Sequence, residues 1–240
     1  MLAQLGFEAL ATTSAGLAFS LGRPDGEGGI TREEALNNAH DIIQATPLPV
    51  SADLENGYGD DPEACSDTVV QAARAGLAGC SIEDATGRAD DPIYPYELAV
   101  ERIKAAVKAT RNLPFSFMLT ARAENLIHGR PDLKDTIRRL EAYADAGADV
   151  LYAPGLKTRA EIDAVVRAVA PRPVNVLMGQ GDLSVDDLAR LGVKRISLGS
   201  TLARVAYGAF LRAAEEIRQK GTFSFAAGTV SYATINQLFS

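Results

Sequence analysis

The sequence predicts an α/β protein of the (β/α)-barrel class, folded as a single domain. Three observations carry this. Short apolar runs alternate with amphipathic helical patterns along the 240 residues. The runs show little polar alternation, as strands of a parallel sheet covered by helices should. A glycine joint recurs where helix passes into strand, at Ala75-Gly76-Leu77, Ala146-Gly147-Ala148 and Leu191-Gly192-Val193.

The elements read in order. Strands are expected at 9–13, 49–55, 79–84, 115–124, 150–153, 174–178 and 195–199. Thr31-Arg32-Glu33-Glu34 is a capping box that opens a helix with Ala35, Leu36, Ala39, Ile42 and Ile43 on one stripe. Asp61-Pro62 reads as a cap and first-turn proline before Val69, Val70 and Ala73. A third helix carries Leu98, Ile103, Ala106 and Val107, and a fourth follows Asp132 with Leu133, Ile137, Leu140 and Ala144. Thr158 to Glu161 is a second capping box, and Ser184 caps a short helix that stops at Gly192. The last long helix runs from about 200 to 220 and ends at Gly221. Leu2, Leu5 and Gly6 read as the end of a helix feeding the first visible strand, so an eighth strand is expected upstream of Met1.

Composition bounds the function. With 47% apolar and 23% charged residues the chain is neither disordered nor a rod. The net charge of −7 argues against nucleic acid and anionic membranes as partners. Two cysteines, Cys65 and Cys80, make no disulfide framework and point to a reducing compartment. No run approaches a membrane span and no basic stretch precedes an apolar one at Met1, so a cytoplasmic protein is expected.

The chemistry should lie at the C-terminal ends of the strands. Asp53 and Glu55 end one strand on one face, and Glu83-Asp84 ends the next. Such clustered carboxylates suit Mg²⁺ or Mn²⁺; the alternative is a salt-bridged rim. Gly57-Tyr58-Gly59 offers close backbone approach to a ligand, or is an ordinary loop. Arg122 and Glu124 share a face; the arginine suits a carboxylate or phosphonate, or else pairs with the acids. His128, just past that strand, is a proton carrier or a bystander, whereas His40 reads as structural. Thr12 to Gly16 offers hydroxyls and N–H groups to an oxyanion, and Asp25 lies in Gly22-Arg23-Pro24-Asp25.

Together these segments resemble the isocitrate lyase/phosphoenolpyruvate mutase superfamily. Asp53-Leu54-Glu55-Asn56-Gly57-Tyr58-Gly59 matches its D-x-[DE]-x-G-[YF]-G metal motif, and Glu83-Asp84 its E-D pair. Ala121-Arg122-Ala123-Glu124 matches its A-R-x-[DE] strand. Residues 138–147, with Ala142-Tyr143 and Ala146-Gly147-Ala148-Asp149, match R-x-x-A-Y-x-x-A-G-A-D. The resemblance implies a (β/α)8 TIM barrel whose first strand is missing from this chain. It implies a homo-oligomer, dimer or tetramer, with residues from about 222 to 240 packing on a neighbour. It implies Mg²⁺ or Mn²⁺ bound directly by Asp53, with Asp25, Glu55 and Glu83 holding its waters. Thr13, Ser14 and Ala15, with Gly57, Arg122 and Glu124, would bind a small 2-oxocarboxylate-type substrate.

One departure shapes the functional expectation. The superfamily's lyases carry a K-[KR]-C-G-H gate after the E-D pair, and its mutases a lysine and an Asn-Ser pair. Here the stretch reads Ala85-Thr86-Gly87-Arg88-Ala89-Asp90-Asp91-Pro92-Ile93-Tyr94. The expectation is a carbon–carbon lyase of the 2-methylisocitrate lyase kind, acting through an enolate. The alternatives are a phosphonomutase acting on a P–C bond and a barrel that binds metal and oxoacid without turnover. The gate is expected to be mobile, with Tyr58, His128 or Tyr94 as proton carriers. Cys80, at odd spacing from Glu83, should face the helices.

Overall fold

In a computed structural model of the chain, residues 1–26, 28–179 and 182–239 are described. Seven strands are present among them, each within a segment expected from sequence: β1 (Leu10–Ala11), β2 (Val50–Asp53), β3 (Gly79–Glu83), β4 (Met118–Arg122), β5 (Val150–Tyr152), β6 (Val174–Leu177) and β7 (Arg195–Ser197). All neighbours pair parallel and in chain order, and the sheet curves into a nearly closed barrel.

Helices lie between the strands: α1 (Ser14–Ser20), α2 (Arg32–Gln44), α3 (Pro62–Arg74), α4 (Tyr96–Arg111), α5 (Leu133–Ala146), α6 (Arg159–Ala168) and α7 (Val185–Arg190), followed by α8 (Thr201–Lys220) and α9 (Tyr232–Gln237). Both expected capping boxes form, Thr31 with Glu34 and Thr158 with Glu161. Asp61 precedes α3 as expected but its side chain makes no cap bond; Pro62 supplies the start. The three joint glycines, Gly76, Gly147 and Gly192, all turn with positive φ. His40 sits on the surface of α2, its Nδ1 3.5 Å from the Ala75 carbonyl.

The core fills the space between sheet and helices. Val50, Ala52, Cys80, Ile82, Leu119 and Ala121 point outward into it from β2, β3 and β4. Their alternate neighbours Asp53, Ser81, Glu83, Thr120 and Arg122 are thereby left to the barrel interior. Cys80 faces the helices as its spacing required, and Cys65 on α3 is equally buried. In contrast α8 and α9 bury no residue. No helix among the described residues is long and apolar enough to cross a membrane.

Candidate active site

The mouth of the barrel is organised around Arg122 at the end of β4. Its Nη1 donates to Asp53 Oδ1 at 2.7 Å, its Nη2 lies 3.0 Å from Glu83 Oε2, and its Nε donates to Glu124 Oε1 at 2.8 Å. Adjacent strand ends bring these groups together, because Glu83 and Arg122 are in register across β3 and β4. The arginine therefore pairs with the acids, the alternative left open by the sequence. A guanidinium has five N–H donors, so two of them remain for a ligand. Its Cζ lies 5.1 Å from the centre of the Tyr152 ring.

Asp53 collects further donors. Ser81 Oγ and the Glu55 N–H approach Oδ1 at 3.4 and 3.3 Å, and Ser14 approaches Oδ2 through its hydroxyl at 3.2 Å and its N–H at 3.4 Å. The stretch read as an oxyanion cradle is thus the start of a helix: Thr13 caps α1 by accepting from Gly16 N, and Ala15 lies in its first turn. In this state the Ser14 donors serve the carboxylate of Asp53.

Glu55 does not continue β2. It turns off at φ 48°, so the shared strand face expected for Asp53 and Glu55 is replaced by a turn. The two carboxyls still meet electrostatically. Burial first, then Asp53 and Asp25, push the Glu55 carboxyl up to about 7. Burial and Asp53 raise Asp25 as well. Among the described residues neither Asp25 nor Glu55 has a basic group within ion-pair distance. Glu83 is also raised, by burial first.

The E-D pair divides. Glu83 faces the barrel, whereas Asp84 turns into the helical layer, accepting from Arg139 Nη1 at 3.0 Å, Tyr143 Oη at 2.7 Å and the Glu124 N–H at 2.8 Å. The 138–147 motif is therefore the partner of Asp84, and through it a support for Glu124. Glu124 itself is buried, with His128 Nε2 3.9 Å from its Oε2. Burial lowers the His128 pKa and raises that of Tyr58. Tyr58 lines a crevice with Thr12, Thr13, Ser14 and Asp53.

Gly57 packs against α3: a Cβ there would meet Cys65 Sγ at 3.1 Å and Cα at 3.2 Å, at a φ of +82°. Both ends of the expected gate are hydrogen-bonded. Ala85 bridges Ile93, Thr86 N–H donates to Pro92 at 2.9 Å, and Tyr94 is buried with its hydroxyl donating to Asp60 at 2.5 Å. Asn56 Nδ2 also donates to the Tyr94 hydroxyl, at 3.1 Å, so that hydroxyl is engaged on both sides.

A divalent ion fits this donor set in charge and in kind. The donors are hard oxygens, and Asp25 and Glu55 are crowded carboxyls short of positive charge. No three of His, Cys, Asp and Glu among the described residues form a ready cage. An ion such as Mg²⁺ keeps several waters and takes one or two protein carboxylates.

A family model for phosphoenolpyruvate phosphomutase matches residues 1–218. The chain belongs to the phosphoenolpyruvate phosphomutase family. It is an enzyme of the wider isocitrate lyase/phosphoenolpyruvate mutase superfamily, whose members are carbon–carbon lyases or phosphonomutases and are generally dependent on divalent metals. A candidate lyase/mutase from Burkholderia cenocepacia J2315 is 60% identical with a TM-score of 0.96, over 100% of this chain and 85% of its own. The crystal structure of 2,3-dimethylmalate lyase is 29% identical with a TM-score of 0.86, over 99% and 83%. A Corynebacterium glutamicum protein assigned as 2-methylisocitrate lyase 1 is 31% identical, over 91% of this chain and 73% of its own length.

Proposed function

We propose that this enzyme breaks a carbon–carbon bond of a small 2-oxocarboxylate-type substrate, either the bond β to the oxo group of a 2-oxo acid or the C2–C3 bond of a 2-hydroxy acid that yields one, with Mg²⁺ or Mn²⁺ bound at Asp53. The observation that carries this reading is the crowding of Asp25, Asp53 and Glu55, with a Glu55 carboxyl lifted to about 7 and no basic partner of its own among the described residues. Asp53 would ligate the ion, and Asp25, Glu55 and Glu83 would hold its waters. When bound, the ion supplies Lewis acidity to the oxo and carboxylate oxygens of the substrate.

The chain's own groups do the rest. The two remaining N–H groups of Arg122 hold the substrate carboxylate, and Glu83 and Glu124 keep the guanidinium plane fixed. Thr13, Ser14 and Ala15 border the other side of Asp53. In a 2-oxocarboxylate, cleavage of the β bond leaves the electron pair on the oxoacid fragment as an enolate. In a 2-hydroxy substrate the hydroxyl gives up its proton, its carbon becomes the oxo carbon and the pair leaves on the departing carboxylate fragment. In either case the carbanionic fragment then takes a proton at carbon. Burial keeps Tyr58 protonated, so it donates rather than accepts. Burial keeps His128 readily neutral, so it exchanges a proton with solvent from the mouth. The lyase names of the relatives support C–C over P–C chemistry. The exposed apolar residues Leu202, Val205, Phe210 and Leu211 of α8 support a homo-oligomer in which this helix packs on a second copy.

A panel of 2-alkylmalates, oxaloacetate and phosphonopyruvate with Mg²⁺, followed by NMR, tests the reading. Release of a 2-oxoacid or pyruvate from a carbon substrate is expected. Turnover of phosphonopyruvate alone would replace it with P–C chemistry.

A further inference from the structure

Arg102 is a charged residue on the buried stripe of α4, among Ala99, Ile103, Ala106 and Val107. It is 1% exposed. Burying a cation is costly unless its donors are satisfied, yet no carboxylate lies within ion-pair distance of it among the described residues. Its Nη1 instead donates to the carbonyls of Gly59, at 2.6 Å, and of Asp60, and its Nη2 to the carbonyl of Asn56. Its Cζ sits 4.1 Å from the centre of the Tyr94 ring. Only Nε is left without a partner.

The three carbonyls belong to one turn, the link from β2 to α3. Thr68 Oγ1 donates to the Gly57 carbonyl at 2.7 Å, so the carbonyls of residues 56, 57, 59 and 60 all face the helical layer. Glu55 and Tyr58 sit in the left-handed region, at φ 48° and 61°. Non-glycine residues hold that conformation at a cost, and it persists only where the surroundings over-determine it.

We infer that Arg102 is a positioning residue for this site: by gripping the carbonyls of Asn56, Gly59 and Asp60 it fixes the turn that aims Glu55 and Tyr58 at Asp53. A lysine would not serve equally. Its ammonium is a point charge, whereas three divergent carbonyls and an aromatic face call for a planar fork. One arm of the test below rests on the cation site proposed above; the other does not.

The experiment compares full-length wild type, Arg102→Lys, Arg102→Met and the neighbouring core variant Ile103→Val. Two quantities are read: hydrogen exchange of the amides at 55–60, and the affinity for Mn²⁺ alone by electron paramagnetic resonance. The Arg102 variants should exchange these amides about tenfold faster and bind Mn²⁺ about tenfold more weakly. Ile103→Val, which loosens the same helix without touching the turn, should change neither by more than about twofold. Should Arg102→Met fail to fold, Arg102→Lys carries the test. Unchanged exchange in a folded Arg102 variant, or an equal effect from Ile103→Val, overturns the inference. If wild type binds no Mn²⁺, the cation site fails and the exchange arm alone decides on Arg102.

Discussion

Arg122 and Asp53 meet across two strands, Nη1 to Oδ1 at 2.7 Å, and this contact joins the cation end of the site to its anion end. One carboxylate thus faces both the guanidinium and the proposed ion. The same arginine holds Glu83 and Glu124, so a single positive charge organises three acids.

Removing that charge should be expensive. Arg122→Met leaves three carboxyls crowded without a cation, and breaking a buried pair costs about 3–5 kcal/mol. Urea denaturation in chelator should show a loss of about 3 kcal/mol or more, partly restored by Mg²⁺. Arg122→Lys keeps the charge without the fork and should lose at least about tenfold in affinity for oxalate, a planar dianion suited to the same donors. Equal oxalate binding by the lysine variant would place the clamp elsewhere.

Stability should fall with rising pH in the metal-free chain. The Glu55 carboxyl is raised from 4.5 to about 7, so the folded chain favours its protonated form. The stability this contributes is full below about 4.5 and is lost as pH rises through about 7. Thermal melting in chelator should give a lower Tm at pH 8 than at pH 6. Glu55→Gln should raise Tm at pH 8 and flatten the trend. A wild-type profile matching that of Glu55→Gln would show that Glu55 is not crowded.

The cysteines should be bystanders to the chemistry. Cys65 and Cys80 are buried on the helical side of the sheet, and burial raises both thiols. Cys65→Ser and Cys80→Ser should lower Tm yet leave turnover and oxalate affinity within a few-fold of wild type. Alkylating reagents should leave the folded enzyme active. A hundredfold loss, about 2.7 kcal/mol of transition-state stabilisation, in a folded variant would contradict this assignment.

Much of the architecture was legible in the chain because local signals agree with the global fold. Thr31 and Thr158 each carry their capping partner three residues on, and each joint glycine stands where φ turns positive. The acids at strand ends were legible through motif and periodicity. What escaped depends on contacts between distant segments. The short helices Ser14–Ser20 and Tyr232–Gln237 are not among the helices expected from sequence. Asp84 looked like a partner of Glu83 until Arg139 and Tyr143 claimed it. Arg102 gave one signal, a cation on an apolar helical stripe between Ala99 and Ala106. Tyr94 falls in a segment expected to be mobile because Asp60, which accepts from its hydroxyl, lies 34 residues away in sequence.

The cation site at Asp53 is the centre of the account, and Mn²⁺ titration followed by electron paramagnetic resonance tests it most directly. Wild type should bind Mn²⁺, with Mg²⁺ competing, and Asp53→Ala should weaken binding at least tenfold, about 1.4 kcal/mol, while remaining folded. Equal Mn²⁺ affinity in wild type and a folded Asp53→Ala variant would contradict it.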